Sequence, residues 1–106
     1  MTTFDDREKA FENKFKRDQE LQFKVRARRN KLLGQWAAAK LGIADVDAYA
    51  KDVVGADFQK PGEDDVIEKI VNDAKVKGAS LGAADVRTEM DRLMEEAKRQ
   101  IMGEAK

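Results

Sequence analysis

The sequence predicts an all-α protein, a four-helix bundle with a mobile or protruding N-terminal helical segment. Three observations carry that expectation. Charged residues make up 40% of the 106-residue chain and aromatics 7%, with a single proline, a composition that favours helix over sheet. Apolar residues recur at three- and four-residue spacing along most of the chain. The glycines fall singly, and most stand where a periodic stretch ends. A chain of this length supports one domain with a modest core.

The first element is the most extended. From Phe4 to Trp36 there is no proline and one glycine, Gly34. On a straight helix Phe4, Phe11, Phe15, Leu21, Val25, Leu32, Leu33 and Trp36 fall within an arc of roughly 120°. Thr2 and Thr3 offer an N-cap, and Asp5 and Asp6 suit the positive end of the helix dipole. The polar run Lys16-Arg17-Asp18-Gln19-Glu20 interrupts the stripe and marks a hinge or break. Beyond it, Leu21 to Leu41 reads as the first core helix, with Gly42 placed to end it.

Asp45 is an N-cap signal for a short helix carrying Val46, Tyr49, Ala50, Val53 and Val54 on one side. Gly55 is expected to end it, with Phe58 in a connector and Pro61-Gly62 forming a turn. Glu63, Asp64 and Asp65 load acid onto the start of the next helix, which buries Val66, Ile67, Ile70, Val71 and Ala74 and stops at Gly78. A last helix of about 20 residues begins near Ala83, with Val86, Met90, Leu93, Met94, Ala97 and Ile101 inward and Gly103 just beyond. Met90 and Met94 fill the core, and Trp36 packs beside the alanines at positions 37–39.

These helices are long enough to sheath Leu21–Leu41. They are too short to cover Phe4–Phe15 as well, unless that segment folds back at the polar break.

The chain holds 21 basic and 21 acidic residues, without cysteine or histidine. Thiolate and imidazole metal sites, disulfides, and catalysis by Cys/His or Ser/His pairs are therefore excluded. No glycine-rich phosphate loop occurs, the carboxylates show no pairing that implies acid/base work, and no cofactor is expected. No stretch has the apolar length of a signal peptide or a membrane span, which predicts a soluble, non-secreted protein. The zero net charge hides an asymmetry: residues 1–40 carry 11 Lys/Arg against 6 Asp/Glu, and residues 41–106 carry 10 against 15.

Two features are candidate binding elements. Phe4, Phe11 and Phe15 form an aromatic face that either packs as core or enters a partner's groove as a helix; the pattern alone leaves both open. Lys24, Arg26, Arg28, Arg29 and Lys31 suggest a nucleic-acid contact. On a helical wheel, however, they spread around the axis, and the simpler reading pairs them with Asp45, Asp47, Asp57 and the acids of the last two helices. A basic nucleic-acid-binding protein and a helical interaction module for another partner thus stand as alternatives.

The stretch FDDREKAFENKFKRDQELQFKVRARRNKLLGQWAAAKLG closely resembles the N-terminal signature of the zeta-subunit family of alphaproteobacteria, the inhibitor subunit of their F-type ATP synthase. The resemblance extends through DAYAKDVVGADFQKPGEDDV to the final helix. It implies a non-enzymatic inhibitor of ATP hydrolysis. An N-terminal segment, residues 1–18, becomes helical on binding, inserts at a catalytic interface between alpha and beta subunits and stops rotation of gamma; residues 19–106 form the bundle. Carried onto this sequence, Phe4, Phe11 and Phe15 are the apolar anchors, and Asp5, Arg7, Glu8, Lys9 and Glu12 the polar contacts. The implied location is the cytoplasmic face of the inner membrane, reached through the synthase, and the free protein is expected to be a monomer.

Overall fold

The computed structural model describes the backbone of residues 3–59 and 62–104 and the side chains of residues 6–57 and 62–104. Among the described residues the chain is all-helical, with α1 (Thr3–Arg17), α2 (Gln19–Leu41), α3 (Val46–Gln59), α4 (Glu63–Lys77) and α5 (Ala83–Glu104). The expected cap at Thr2 and the corner at Lys60-Pro61 lie outside the described residues.

The break in the long N-terminal stripe is a single residue, Asp18. Its backbone is extended (φ −103°, ψ 105°) and its carboxylate accepts from the Leu21 amide, at 3.2 Å. Asp18 thereby caps α2, satisfying one of the amides that a helix start leaves orphaned. At the far end of α2, Gly42 takes the left-handed conformation (φ 70°), and the Ile43 amide reaches back to the Ala38 carbonyl at 2.9 Å. The same arrangement ends α4, with Gly78 at φ 71° and the Ala79 amide 2.8 Å from the Ala74 carbonyl. Only glycine adopts this backbone without a Cβ penalty, so both stops follow from sequence. Asp45 caps α3 as expected, its carboxylate accepting from Ala48 N at 3.1 Å.

Two helices run past the glycines expected to end them. α3 continues through Gly55 to Gln59, which places the backbone of Phe58 within the helix instead of in a connector, and α5 continues through Gly103 to Glu104. Tertiary contacts explain both corrections. Asp57 accepts from Arg26 at 2.8 and 2.9 Å and from Asn30 at 3.0 Å, while Glu104 pairs with Arg28 at 2.6 Å. The part-buried ties to Asp57 work against the roughly 1 kcal/mol that the mid-helix Gly55 costs.

α2 contacts all four other helices and is buried at Leu21, Val25, Arg29, Asn30, Leu33, Gly34, Ala37, Ala38 and Leu41. The main core gathers Leu33, Ala37 and Ala38 with Val53, Val66, Ile70, Val86 and Met90, and Trp36 packs against it partly buried. Gly34 lies within α2, where a Cβ would stand 2.6 Å from the Ala50 Cα. Its missing side chain lets α2 and α3 approach closely. A second, smaller cluster of Leu21, Val25, Ala97 and Ile101 forms where α2 meets the C-terminal half of α5, with Phe11, Phe15, Leu32 and Met94 packed against it. Phe11 and Phe15 of the N-terminal aromatic stripe are therefore not left uncovered: the kink at Asp18 folds them back.

Arg29 is 1% exposed, which its place in a basic run did not suggest. It donates to Asn30 Oδ1 at 3.2 and 3.0 Å and to Glu63 at 3.0 Å. Burial lowers the guanidinium from its ordinary pKa, and the nearby charges of Glu63 and Asp57 raise it. No buried side-chain nitrogen or oxygen among the described residues lacks a hydrogen-bond partner, so this polar cluster is built without an orphan.

The Gly34 contact predicts that Gly34→Ala lowers stability by about 1–3 kcal/mol, because the obstacle is backbone. Gly55→Ala, with nothing within 4 Å of its Cβ, should stabilise by about 0.5–1 kcal/mol; urea unfolding of the pair measures both. A second expectation concerns Tyr49, whose phenol donates to Asp73 at 2.7 Å. Burial first, then the bond to Asp73 and that residue's charge, raise its pKa above the ordinary 10.0. The folded state thus holds the proton more tightly than the unfolded one, and the resulting stability is complete below about pH 10 and declines above it. Tyr49→Phe should abolish that alkaline decline in unfolding experiments run from pH 8 to 11 and cost about 1 kcal/mol at neutral pH.

Candidate functional site

α1 is helical for reasons visible in its residues. It has neither proline nor glycine, and Lys14, Lys16 and Arg17 occupy its last turn, where cations complement the negative end of the dipole. Asp6, Arg7, Glu8, Lys9 and Ala10 lie at exposed positions, whereas Phe11, Glu12 and Phe15 are half-buried. The side chains of Phe4 and Asp5 lie outside the described residues.

Phe11 and Phe15 share one face of α1 at i, i+4 spacing, their ring centroids 6.4 Å apart and planes 17° from parallel. They rest on the Leu21, Val25, Ala97 and Ile101 cluster. Lys98 of α5 closes over this contact. Its ammonium lies 4.6 Å from the centre of the Phe15 ring, 3.5 Å from Glu12 Oε1 and 3.7 Å from Glu95 Oε1. A cation over an aromatic face and a partly exposed ion pair each contribute about 0.5–1 kcal/mol. Gln22 Nε2 donates at 2.8 Å to the Phe15 carbonyl, one of the acceptors freed by the kink.

Of the eight residues expected to contact a partner, the structure brings Phe11, Glu12 and Phe15 together on α5 and sets Arg7, Glu8 and Lys9 on the outer side. The sequence reading missed Lys98 and Gln22, because neither has a signal in its local spacing. Asp18 was more accessible: an aspartate in a polar gap before an apolar run is a helix-start signal.

The basic run has a structural role at three of its five positions. Arg26 pairs with Asp57 at 2.8 Å, Arg28 with Glu104 at 2.6 Å and Arg29 with Glu63 at 3.0 Å. α2 is tied in this way to α3, α5 and α4. The expected pairing is therefore seen for Asp57 and for acids of the last two helices, while Asp45 serves as a cap. Beside α1, an open groove of about 1290 Å³ runs along α2 and α3, flanked by Lys24, Lys31 and Lys51 and also by Asp18, Asp47 and Glu104. Its mixed rim gives no preference for a ligand of one charge. Among the described residues there is no cluster of His, Cys, Asp or Glu that could hold a metal ion. What the site offers is an amphipathic helix on a one-residue hinge, with an aromatic face and a charged back, the parts of a protein-docking element.

No curated protein matches the chain. A family model described as ATPase inhibitor subunit zeta matches residues 1–100, and the chain belongs to that family.

Proposed function

We propose that this member of the ATPase inhibitor zeta family is a non-enzymatic inhibitory subunit of an F-type ATP synthase, and that α1 is the inhibitory element. In this reading α1 enters a catalytic interface between alpha and beta subunits and blocks rotation of gamma, stopping ATP hydrolysis. Phe11 and Phe15, with Phe4 on the same stripe, are the apolar anchors. Asp5, Arg7, Glu8, Lys9 and Glu12 set register and orientation at the polar rim. Residues 19–106 act as the folded body that delivers and retains it.

The observation that carries this reading is the half-burial of Phe11 and Phe15 on their own chain. A core aromatic is normally enclosed on all sides, and a helix-in-groove anchor gains most when its remaining surface is covered by the partner. The family match over residues 1–100 supports ATPase inhibition as the outcome of that docking. No helix among the described residues is long and apolar enough to cross a membrane; in this reading the chain is held at the inner membrane through the synthase, on its cytoplasmic side. The nucleic-acid alternative loses Arg26, Arg28 and Arg29, whose charges are matched within the fold.

Deleting residues 1–18 should leave α2–α5 folded and abolish inhibition of ATP hydrolysis by the cognate enzyme; full inhibition by the shortened chain would rule the reading out. Replacing Phe11 and Phe15 together with Ala should weaken inhibition by about 10-fold or more, in line with truncated hot-spot aromatics. A titration of steady-state hydrolysis with each protein measures both effects.

A further inference from the structure

Two features of the N-terminal third point to a second arrangement of α1. The first is phase. Phe11 and Phe15 before Asp18, and Leu21 and Val25 after it, lie within one arc of roughly 120° if the helix is drawn straight through. Such phasing belongs to an unbroken helix and is not needed by a kinked one.

The second is the form of the kink. Only Asp18 leaves helical geometry, and the interruption is confined to the joint: the Asp18 amide still closes the last turn of α1 on the Lys14 carbonyl at 2.9 Å, and the Asp18 carbonyl accepts from the Gln22 amide at 3.0 Å to open the first turn of α2. With no proline or glycine in this stretch, nothing steric prevents residue 18 from becoming helical. What holds the kink is replaceable: the Asp18 cap, the Gln22 bond to the Phe15 carbonyl, and the packing of Phe11 and Phe15 under Lys98.

Kinked, the two halves of the stripe cover one another. The rings assigned above to the ATPase are then occupied by the chain's own α2 and α5. We propose that docked α1 is an autoinhibitory latch, with Lys98 as its clasp and Asp18 as its hinge, and that the chain engages the ATPase only after α1 swings off α5. This rests on the reading of α1 as the inhibitory element. Opening realigns α1 with α2 and turns the Phe11 and Phe15 face outward. The apparent affinity for the enzyme is then reduced by the fraction of molecules that are open, so weakening the clasp strengthens inhibition.

The absence of cysteine permits a direct test on the full chain. Glu12→Cys and Lys98→Cys are introduced together and bridged with a short, reductively cleavable bis-maleimide. The bridged protein should inhibit ATP hydrolysis at least about 10-fold more weakly than the same protein after cleavage. The linker stubs remain on both residues, so any steric effect at position 12 is common to the two samples. Equal inhibition by bridged and cleaved protein overturns the latch and leaves the inhibitory role of α1 standing. Failure of both the cleaved and the wild-type protein to inhibit overturns that role and the latch with it.

A second variant, Lys98→Glu, removes the ring contact and repels Glu12. It should lower the half-inhibitory concentration by roughly 3- to 10-fold. In the free protein it should also lengthen the distance between spin labels attached through Glu8→Cys and Asp91→Cys. Unchanged potency with an unchanged distance distribution overturns the latch.

Discussion

The fold depends on the enclosure of α2, and the tightest point of that enclosure is the contact of Gly34 with Ala50. A Cβ on Gly34 would lie 2.6 Å from the Ala50 Cα and 3.3 Å from the Val53 Cβ, so α2 and α3 are nearly in backbone contact. That spacing brings Asn30 within 3.0 Å of Asp57 and places Arg26 on the same carboxylate. Asp57 in turn accepts from the Gly62 amide at 3.3 Å, immediately before Glu63 receives Arg29. The small residue at one crossing thus sets the register of a polar cluster that links α2, α3 and the start of α4. A buried guanidinium is costly unless every donor finds an acceptor, which makes this cluster a constraint on helix placement more than a source of net stability.

Much of this was readable from the residues. The stops at Gly42 and Gly78, the cap at Asp45, the break in the polar run around Asp18, and the inward faces of α4 and α5 are local chemistry, decided by one residue and its neighbours. The errors share a different cause. Gly55 and Gly103 carry the signal of a helix end, yet α3 and α5 continue because Asp57 and Glu104 are held by arginines of α2. Gly34 carries no local signal of the crossing it makes with Ala50. Arg29 pairs with an acid of another helix as its basic run led one to expect, but its place among the most buried side chains in the fold has no local signal. Each of these depends on a partner far along the chain, which spacing and propensity do not report.

The same distinction separates the parts of the candidate site. The aromatic face of α1 is a helical pattern and could be read directly; what covers it could not. The comparison of helix lengths showed that Phe4–Phe15 was too much for the predicted bundle unless it folded back, and folding back is what Asp18 permits. Lys98 completes the contact from the opposite end of the sequence. Its ammonium serves Glu12, Glu95 and the Phe15 ring together; Glu95 is one turn away on α5, but only the three-dimensional arrangement brings Glu12 and the Phe15 ring to it.

The magnitudes explain why such a contact suits a regulatory element. Full burial of a phenylalanine contributes about 1.5–3 kcal/mol, so the two rings, partly buried on their own chain, supply roughly 2–5 kcal/mol together, and Lys98 adds about 1–2. Against this stands the cost of ordering a 15-residue helix that is marginal in isolation. A groove that encloses both rings covers the part of their surface that α2 and α5 leave in water, and it also contacts the charged back of the helix. Because α1 leaves α5 before it enters the partner, the groove must supply more than α5 does, and a modest intramolecular contact is enough to hold the helix until then.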